Sequence, residues 1–272
     1  MVTTMVFSWL RNKSPFMAVS AVMGFLMLLF LFLPVINTVF SSADRLAMTA
    51  TDAETVNAIL TSFYAAFLAT LLTFAFGVPL AYTLTRYNFK GKTLIDAAID
   101  LPILIPHNAA GISLLLLLGP KTPLGRKFSG LGLSFVDTLF GIVAAMAFVS
   151  APFMIRSAED AFKSVNPQLE KVARSLGASS FKAFVHVTFP LAFRGILTGC
   201  LLTWARSISE FGAVVILAYY PKTAAVHLYE VFVNLGLNAA APITALLIIL
   251  AVVIFAAIKL ISAKPLKPVY SS

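Results

Sequence analysis

Residues 170–190 read EKVARSLGASSFKAFVHVTFP. Glu170, Lys171, Arg174 and Lys182 gather here in a chain of which only 11% is charged. Just upstream, Asn166-Pro167 makes a helix start: Asn accepts from orphan N–H groups, and Pro has no N–H to leave unpaired at the first helical position. From there Leu169, Val172, Ala173 and Leu176 fall on one face, with Glu170, Lys171 and Arg174 turned away from it. Gly177 stands where a glycine ends a helix in a left-handed turn. Ser179 or Ser180 can cap a second short helix running to Pro190. The segment therefore reads as two short helices joined at a Gly corner, with an apolar stripe on the first.

Outward from this stretch the chain is greasy. Of its 272 residues 60% are hydrophobic, far from the composition of a soluble domain, where about a quarter are charged. Windows without any charge cover 14–43, 55–85, 101–120, 138–155 and 231–258. Each is near or above the roughly 18–20 residues that a helix needs to cross a bilayer. Barrel strands would alternate rather than run continuously apolar, so these are helices. A sixth window, 191–220, is interrupted by Arg194 at its start and by Arg206 and Glu210 inside it. The expected fold is all-α: a polytopic membrane protein forming one transmembrane domain, 1–272. Its six spans lie near 16–40, 57–85, 94–118, 135–156, 191–219 and 239–261, with the opening stretch in a loop over 157–190.

The net charge of +9 is distributed as the positive-inside rule demands. With the N-terminus in the cytoplasm, the inner side takes Arg11, Lys13, Arg86, Lys90 and Lys92. It also takes the basic residues of 156–194 and, near the end, Lys259, Lys264 and Lys267. The outer side holds Arg45, Lys121, Arg126, Lys127 and Lys222. Both termini and the 157–190 loop are thus expected in the cytoplasm of a multi-pass cell-membrane protein. A basic balance spent in this way excludes nucleic acid and leaves membrane lipid as the surrounding partner. The first apolar run is about twice the length of a signal-peptide core, so it reads as an uncleaved span. Cys200 is the only cysteine and can form no internal disulfide.

No segment outside the spans could hold a soluble catalytic core. Gly91-Lys92-Thr93 is not a phosphate loop, because the glycine that such a loop needs five positions earlier is Arg86. His107, His186 and His227 are too scattered for a zinc site. Asp96 and Asp100, one helical turn apart, read as the solvated start of the third span, since acidic side chains favour a helix N-terminus. Pro102 and Pro106 would break that start and free backbone groups there.

The opening stretch resembles the EAA loop of ABC importer permeases. Lys171-Val172-Ala173 stand at the Glu-Ala-Ala positions, Gly177 is the Gly, Val187 the aliphatic, and Phe189-Pro190 the closing pair. Lys171 departs from the usual Glu, with Glu170 beside it. DLPILIPHNAAGISLLLL from Asp100 and WARSISEFGAVVILAYYPKTAAVHLYEVF from Trp204 are similar to permease subunits of archaeal molybdate/tungstate importers, and sulfate permeases share the general pattern. The resemblance implies a type I importer fold and a permease that is no enzyme. It also implies a homodimer, two cytoplasmic ATPase subunits and an extracellular oxyanion-binding protein. The chain itself needs no cofactor, ATP and Mg being bound by the partner ATPase. Leu169, Glu170, Lys171, Val172, Ala173, Leu176, Gly177, Ala178 and Pro190 would form the coupling segment.

For the pathway the polar candidates are His107, Asn108, Arg206, Ser207, Ser209 and Glu210. A site that must release its anion is poorly served by a deep cluster of unpaired arginines. Arg206 and Glu210 are one turn apart and can neutralise each other, either as a buried pair that fixes helix packing or as part of an ion contact. An ion-driven secondary transporter would need paired intramembrane acids or a broken-helix inverted repeat, and neither is evident.

Overall fold

The computed structural model describes residues 15–262, with side chains over 16–256. Arg11, Lys13, Lys264, Lys267, the side chain of Lys259 and both termini lie outside the described residues. Every regular element among those described is helical. The long helices are α1 (Pro15–Ser41), α3 (Ala53–Arg86), α7 (Leu139–Ser164), α9 (Ser180–Ile208) and α12 (Leu237–Ser262). Each contains a stretch long and apolar enough to cross a membrane. The shorter ones are α2 (Leu46–Thr51), α4 (Lys92–Leu104), α5 (His107–Leu118), α6 (Pro123–Gly130), α8 (Pro167–Ser175), α10 (Gly212–Leu217) and α11 (Ala224–Leu235). The described residues form two compact units, Ala53–Glu230 and the segments on either side of it.

In the flanking unit α12 packs on α1 and α2, and Arg45 Nη1 donates to the Asn238 carbonyl at 3.2 Å. In the central unit α3, α7 and α9 pack on one another. Their contacts are made by small residues: Ala65, Ala66 and Ala69 on α3 and Ala145 and Ala158 on α7 are buried. A Cβ at Gly199 would lie 2.8 Å from the Ser157 Cβ, so α9 runs close against α7. Between helices in lipid the hydrophobic effect supplies little, and such close approach is what gives van der Waals packing its strength.

Two expected spans are interrupted. The third is α4 and α5, bent by 114°. The break lies at Ile105, which is extended (φ −78°, ψ 144°) because it precedes Pro106, and not at the start of the span as expected. Pro102 is accommodated within α4. The fifth begins earlier than expected: the second short helix does not stop at Pro190 but continues into the span as α9. The turn at Phe184–Thr188 is widened to π geometry, which absorbs the hydrogen bond that Pro190 cannot donate. α9 then ends at Ile208, and an irregular turn at 209–211 leads into α10.

Candidate functional site

The loop of the opening stretch forms as its residues dictate. Asn166 Oδ1 accepts from Gln168 N at 2.9 Å and Pro167 opens α8. Gly177 has φ +92°, and its neighbour Ala178 donates to the Ala173 carbonyl at 3.1 Å, closing α8 in the left-handed cap that favours glycine. Ser179 caps the next helix by accepting from Lys182 N at 3.3 Å. The burial, however, is inverted. Leu169, Val172 and Leu176 are exposed, Leu176 at 84%, as are Lys171 and Gly177. Ala173 and Ala178 are half-buried and Pro190 is exposed.

It is Glu170 that turns inward. Its Oε1 accepts from Arg86 Nε at 2.8 Å and from Thr188 Oγ1 at 2.6 Å, and its Oε2 accepts from Tyr82 OH at 3.0 Å. Arg86 also donates to the Val165 carbonyl at 3.1 Å, and Tyr82 packs edge-on against Phe162 and Phe184. One carboxylate, its side chain 14% exposed, thus ties α8 to α3 and to the widened turn of α9. Burial alone would push the Glu170 carboxyl up, but the hydrogen bonds from Thr188, Arg86 and Tyr82, with the Arg86 charge, hold it below the usual carboxylate range.

A second cluster corrects the reading of Asp96 and Asp100 as merely solvated. Arg156 grips Asp100 with two bonds, Nε to Oδ1 at 2.9 Å and Nη2 to Oδ2 at 2.7 Å. Its Nη1 reaches Asp96 Oδ1 at 3.2 Å and Glu159 Oε2 at 2.9 Å. The two aspartates join α4 to α7. An arginine at the end of a charge-free window, with two acids one turn apart at the mouth of the neighbouring span, was the signal available in the sequence.

The third cluster collects most of the intramembrane candidates where the two helix breaks meet. Arg206 Nη2 donates to Glu210 Oε2 at 2.8 Å. That nitrogen lies 3.1 and 3.0 Å from Nδ1 and Nε2 of His107, a position that in the ring plane would collide with Cε1, so it sits over the ring. His107 Nδ1 is 3.1 Å from Glu210 Oε2. Glu210 Oε1 accepts from Ala213 N at 3.0 Å, and Arg206 Nη1 donates to Ser209 Oγ at 3.3 Å. The helix break at 209–211 gives Glu210 this reach. Gly212 lets α5 approach: a Cβ there would lie 2.6 Å from Asn108 Oδ1 and 2.7 Å from the His107 Cβ. Ser207 is not part of the cluster. It donates to Ser150 Oγ at 2.9 Å, tying α9 to α7.

Residues 74–265 match the model of the family described as binding-protein-dependent transport system inner membrane component. The chain belongs to this family. A permease named molybdate/tungstate transport system permease protein WtpB, from Thermococcus kodakarensis, is 45% identical over 79% of this chain and 82% of its own length. The protein of the same name from Pyrococcus abyssi is 40% identical over 90% of this chain and 94% of its own. In fold the chain is similar to the crystal structure of a bacterial ABC transporter involved in the import of the acidic polysaccharide alginate. There the TM-score is 0.73 and the identity 17%, over 95% of this chain and 99% of that one. The chain is a multi-pass membrane permease with the fold of a type I importer.

Arg86, Tyr82 and Thr188, the partners of Glu170, were not read from the sequence. Tyr82 and Arg86 stand one turn apart at the end of α3 and Thr188 in the widened turn of α9, and nothing in their distance along the chain ties them to Glu170.

Proposed function

We propose that this permease passes a tetrahedral oxyanion, molybdate or tungstate, into the cell by alternating access, with ATP hydrolysed by separate subunits. The observation that carries the oxyanion reading is the Arg206–His107–Glu210 cluster. Arg206 is the only basic residue in the interior of the charge-poor windows, Arg194 standing at the start of its own, and its side chain is 20% exposed. An arginine edge at that depth is tolerated against protein or a water-filled path rather than lipid. The names of the relatives at 45% and 40% identity supply the chemical class.

The ATPase reading rests on α8. An apolar stripe left outward while a carboxylate is turned inward is the reverse of ordinary burial, and it suits a groove on another protein. The charge asymmetry supports a cytoplasmic α8, where two ATPase subunits would bind one such helix from each of two permease copies. The path would run between the copies, and a binding protein would deliver the anion from outside. Leu169, Val172 and Leu176 would make the contact, Gly177 the corner, and Glu170 the anchor.

The test is uptake into liposomes holding the permease with its ATPase and binding protein. Molybdate or tungstate should stimulate hydrolysis and accumulate inside, and excess sulfate should compete poorly. Uptake of sulfate in preference to both would reassign the substrate, and hydrolysis indifferent to any oxyanion would refute the reading.

A further inference from the structure

We infer that the Glu210 carboxylate is an internal anion occupying the place that the transported oxyanion takes on Arg206 and His107, so that substrate entry and Glu210 release are a single exchange. This rests on the oxyanion reading above. Glu210 is held as a bound oxyanion would be. One oxygen accepts from the Arg206 guanidinium at 2.8 Å and lies 3.1 Å from His107 Nδ1, and the other accepts from the Ala213 N–H at 3.0 Å. Charge-assisted bonds of this kind fit any compact oxygen anion.

The burial is graded. The Glu210 side chain is 1% exposed, Arg206 20% and His107 39%, so the carboxylate lies behind and the guanidinium and imidazole lie in front. Among the described residues Arg206 Nη1 has only the Ser209 hydroxyl, at a long 3.3 Å. A pair whose sole task was packing would be closed on its outer side. This one keeps donors facing out.

The backbone also permits the exchange. Glu210 lies in the turn between α9 and α10, outside regular helix, so Arg206 and Glu210 can part without unwinding a helix. An internal competitor further meets a demand of transport, since an anion held by an uncompensated buried arginine would not leave. Release then occurs as Glu210 returns to Arg206.

The variant to make is Glu210→Gln, which keeps the size and the oxygen for the Ala213 N–H but removes the charge. Its comparator is Arg206→Gln/Glu210→Gln. Equilibrium binding of radiolabelled molybdate is measured on the purified permease–ATPase complex without binding protein. Glu210→Gln should bind roughly 5- to 150-fold more tightly than wild type, the usual span of a coupling between sites, and the double variant should lose this gain. In liposomes Glu210→Gln should lower the half-saturating molybdate concentration while slowing turnover. Binding by Glu210→Gln no tighter than by wild type, or than by the double variant, overturns the exchange.

If Glu210→Gln does not assemble, wild type still decides. Molybdate should slow phenylglyoxal modification at Arg206, read by mass spectrometry of that peptide, and equal rates with and without molybdate overturn the proposal. Wild-type uptake is scored separately. Wild-type vesicles that accumulate molybdate while these results fail refute the exchange alone, whereas vesicles that accumulate no oxyanion refute the transport reading.

Discussion

Two of the arginine–carboxylate contacts in the central unit, Arg86–Glu170 and Arg206–Glu210, differ in how completely the carboxylate's partners are closed off. Glu170 is met by three donors from two elements, Tyr82 and Arg86 one turn apart on α3 and Thr188 in the widened turn of α9, and Arg86 is itself tied down by the Val165 carbonyl. Glu210 is the more deeply buried of the two, but its arginine and histidine keep an open side. The first arrangement suits a joint that must not yield, and the second a contact that must. Removing one partner of a buried pair leaves an uncompensated charge. The same two residue types thus serve opposite ends according to what surrounds them.

The largest effect should follow from opening the closed joint. Arg86→Ala strands Glu170 and should cost about 3–5 kcal/mol of stability, read as thermal melting of the detergent-purified protein. Arg86→Ala/Glu170→Ala should recover much of it. A loss below about 1 kcal/mol would put the Glu170 pair among weak surface contacts.

Next is the corner. Gly177 has φ +92°, with nothing within 4 Å of where a Cβ would stand. Gly177→Val should therefore cost roughly 1–2 kcal/mol from backbone conformation alone. Membrane insertion should persist while ATPase retention or coupling falls. Wild-type uptake by this variant would remove the loop from the mechanical link and restore the alternative of a helix lying on lipid headgroups.

The smallest is Thr188→Val, which deletes one of three donors and should cost about 1 kcal/mol. It carries a pH signature as well. The folded Glu170 carboxyl is held below its ordinary range. Its stabilisation is therefore present above the unfolded value, about 4.3, and is lost as pH falls through the lower folded value. Without the Thr188 hydroxyl the folded value rises, so the acid unfolding midpoint should move up. An unchanged acid limb in Thr188→Val would show that the hydroxyl does not hold the charge.

How much of this was legible follows from the range of each interaction. The spans, the Asn166-Pro167 start and the Gly177 corner depend on residues adjacent in sequence, and they could be read directly. The Arg206–Glu210 pair lies one turn apart and was equally visible. What escaped the sequence depends on tertiary approach. His107 joins Glu210 because a pre-proline residue bends the third span mid-way and a glycine at 212 admits α5. In the sequence Glu170 falls on the polar face of the helix, away from the apolar stripe. That this face would be the buried one could not be seen without Arg86, whose side chain reaches it from the end of a different span. Asp96 and Asp100 looked solvated for the same reason: Arg156 is distant in sequence.

The claim that one carboxylate serves as a fixed joint and the other as an exchangeable anion is tested most directly by the coupling ratio. Oxyanion uptake and ATP hydrolysis are measured in the same vesicles for wild type, Glu170→Gln and Glu210→Gln. Glu170→Gln should hydrolyse ATP with little uptake, because the joint slips. Glu210→Gln should slow both together and keep the wild-type ratio, because only the exchange of anions is altered. A normal ratio in Glu170→Gln with a collapsed ratio in Glu210→Gln would contradict it.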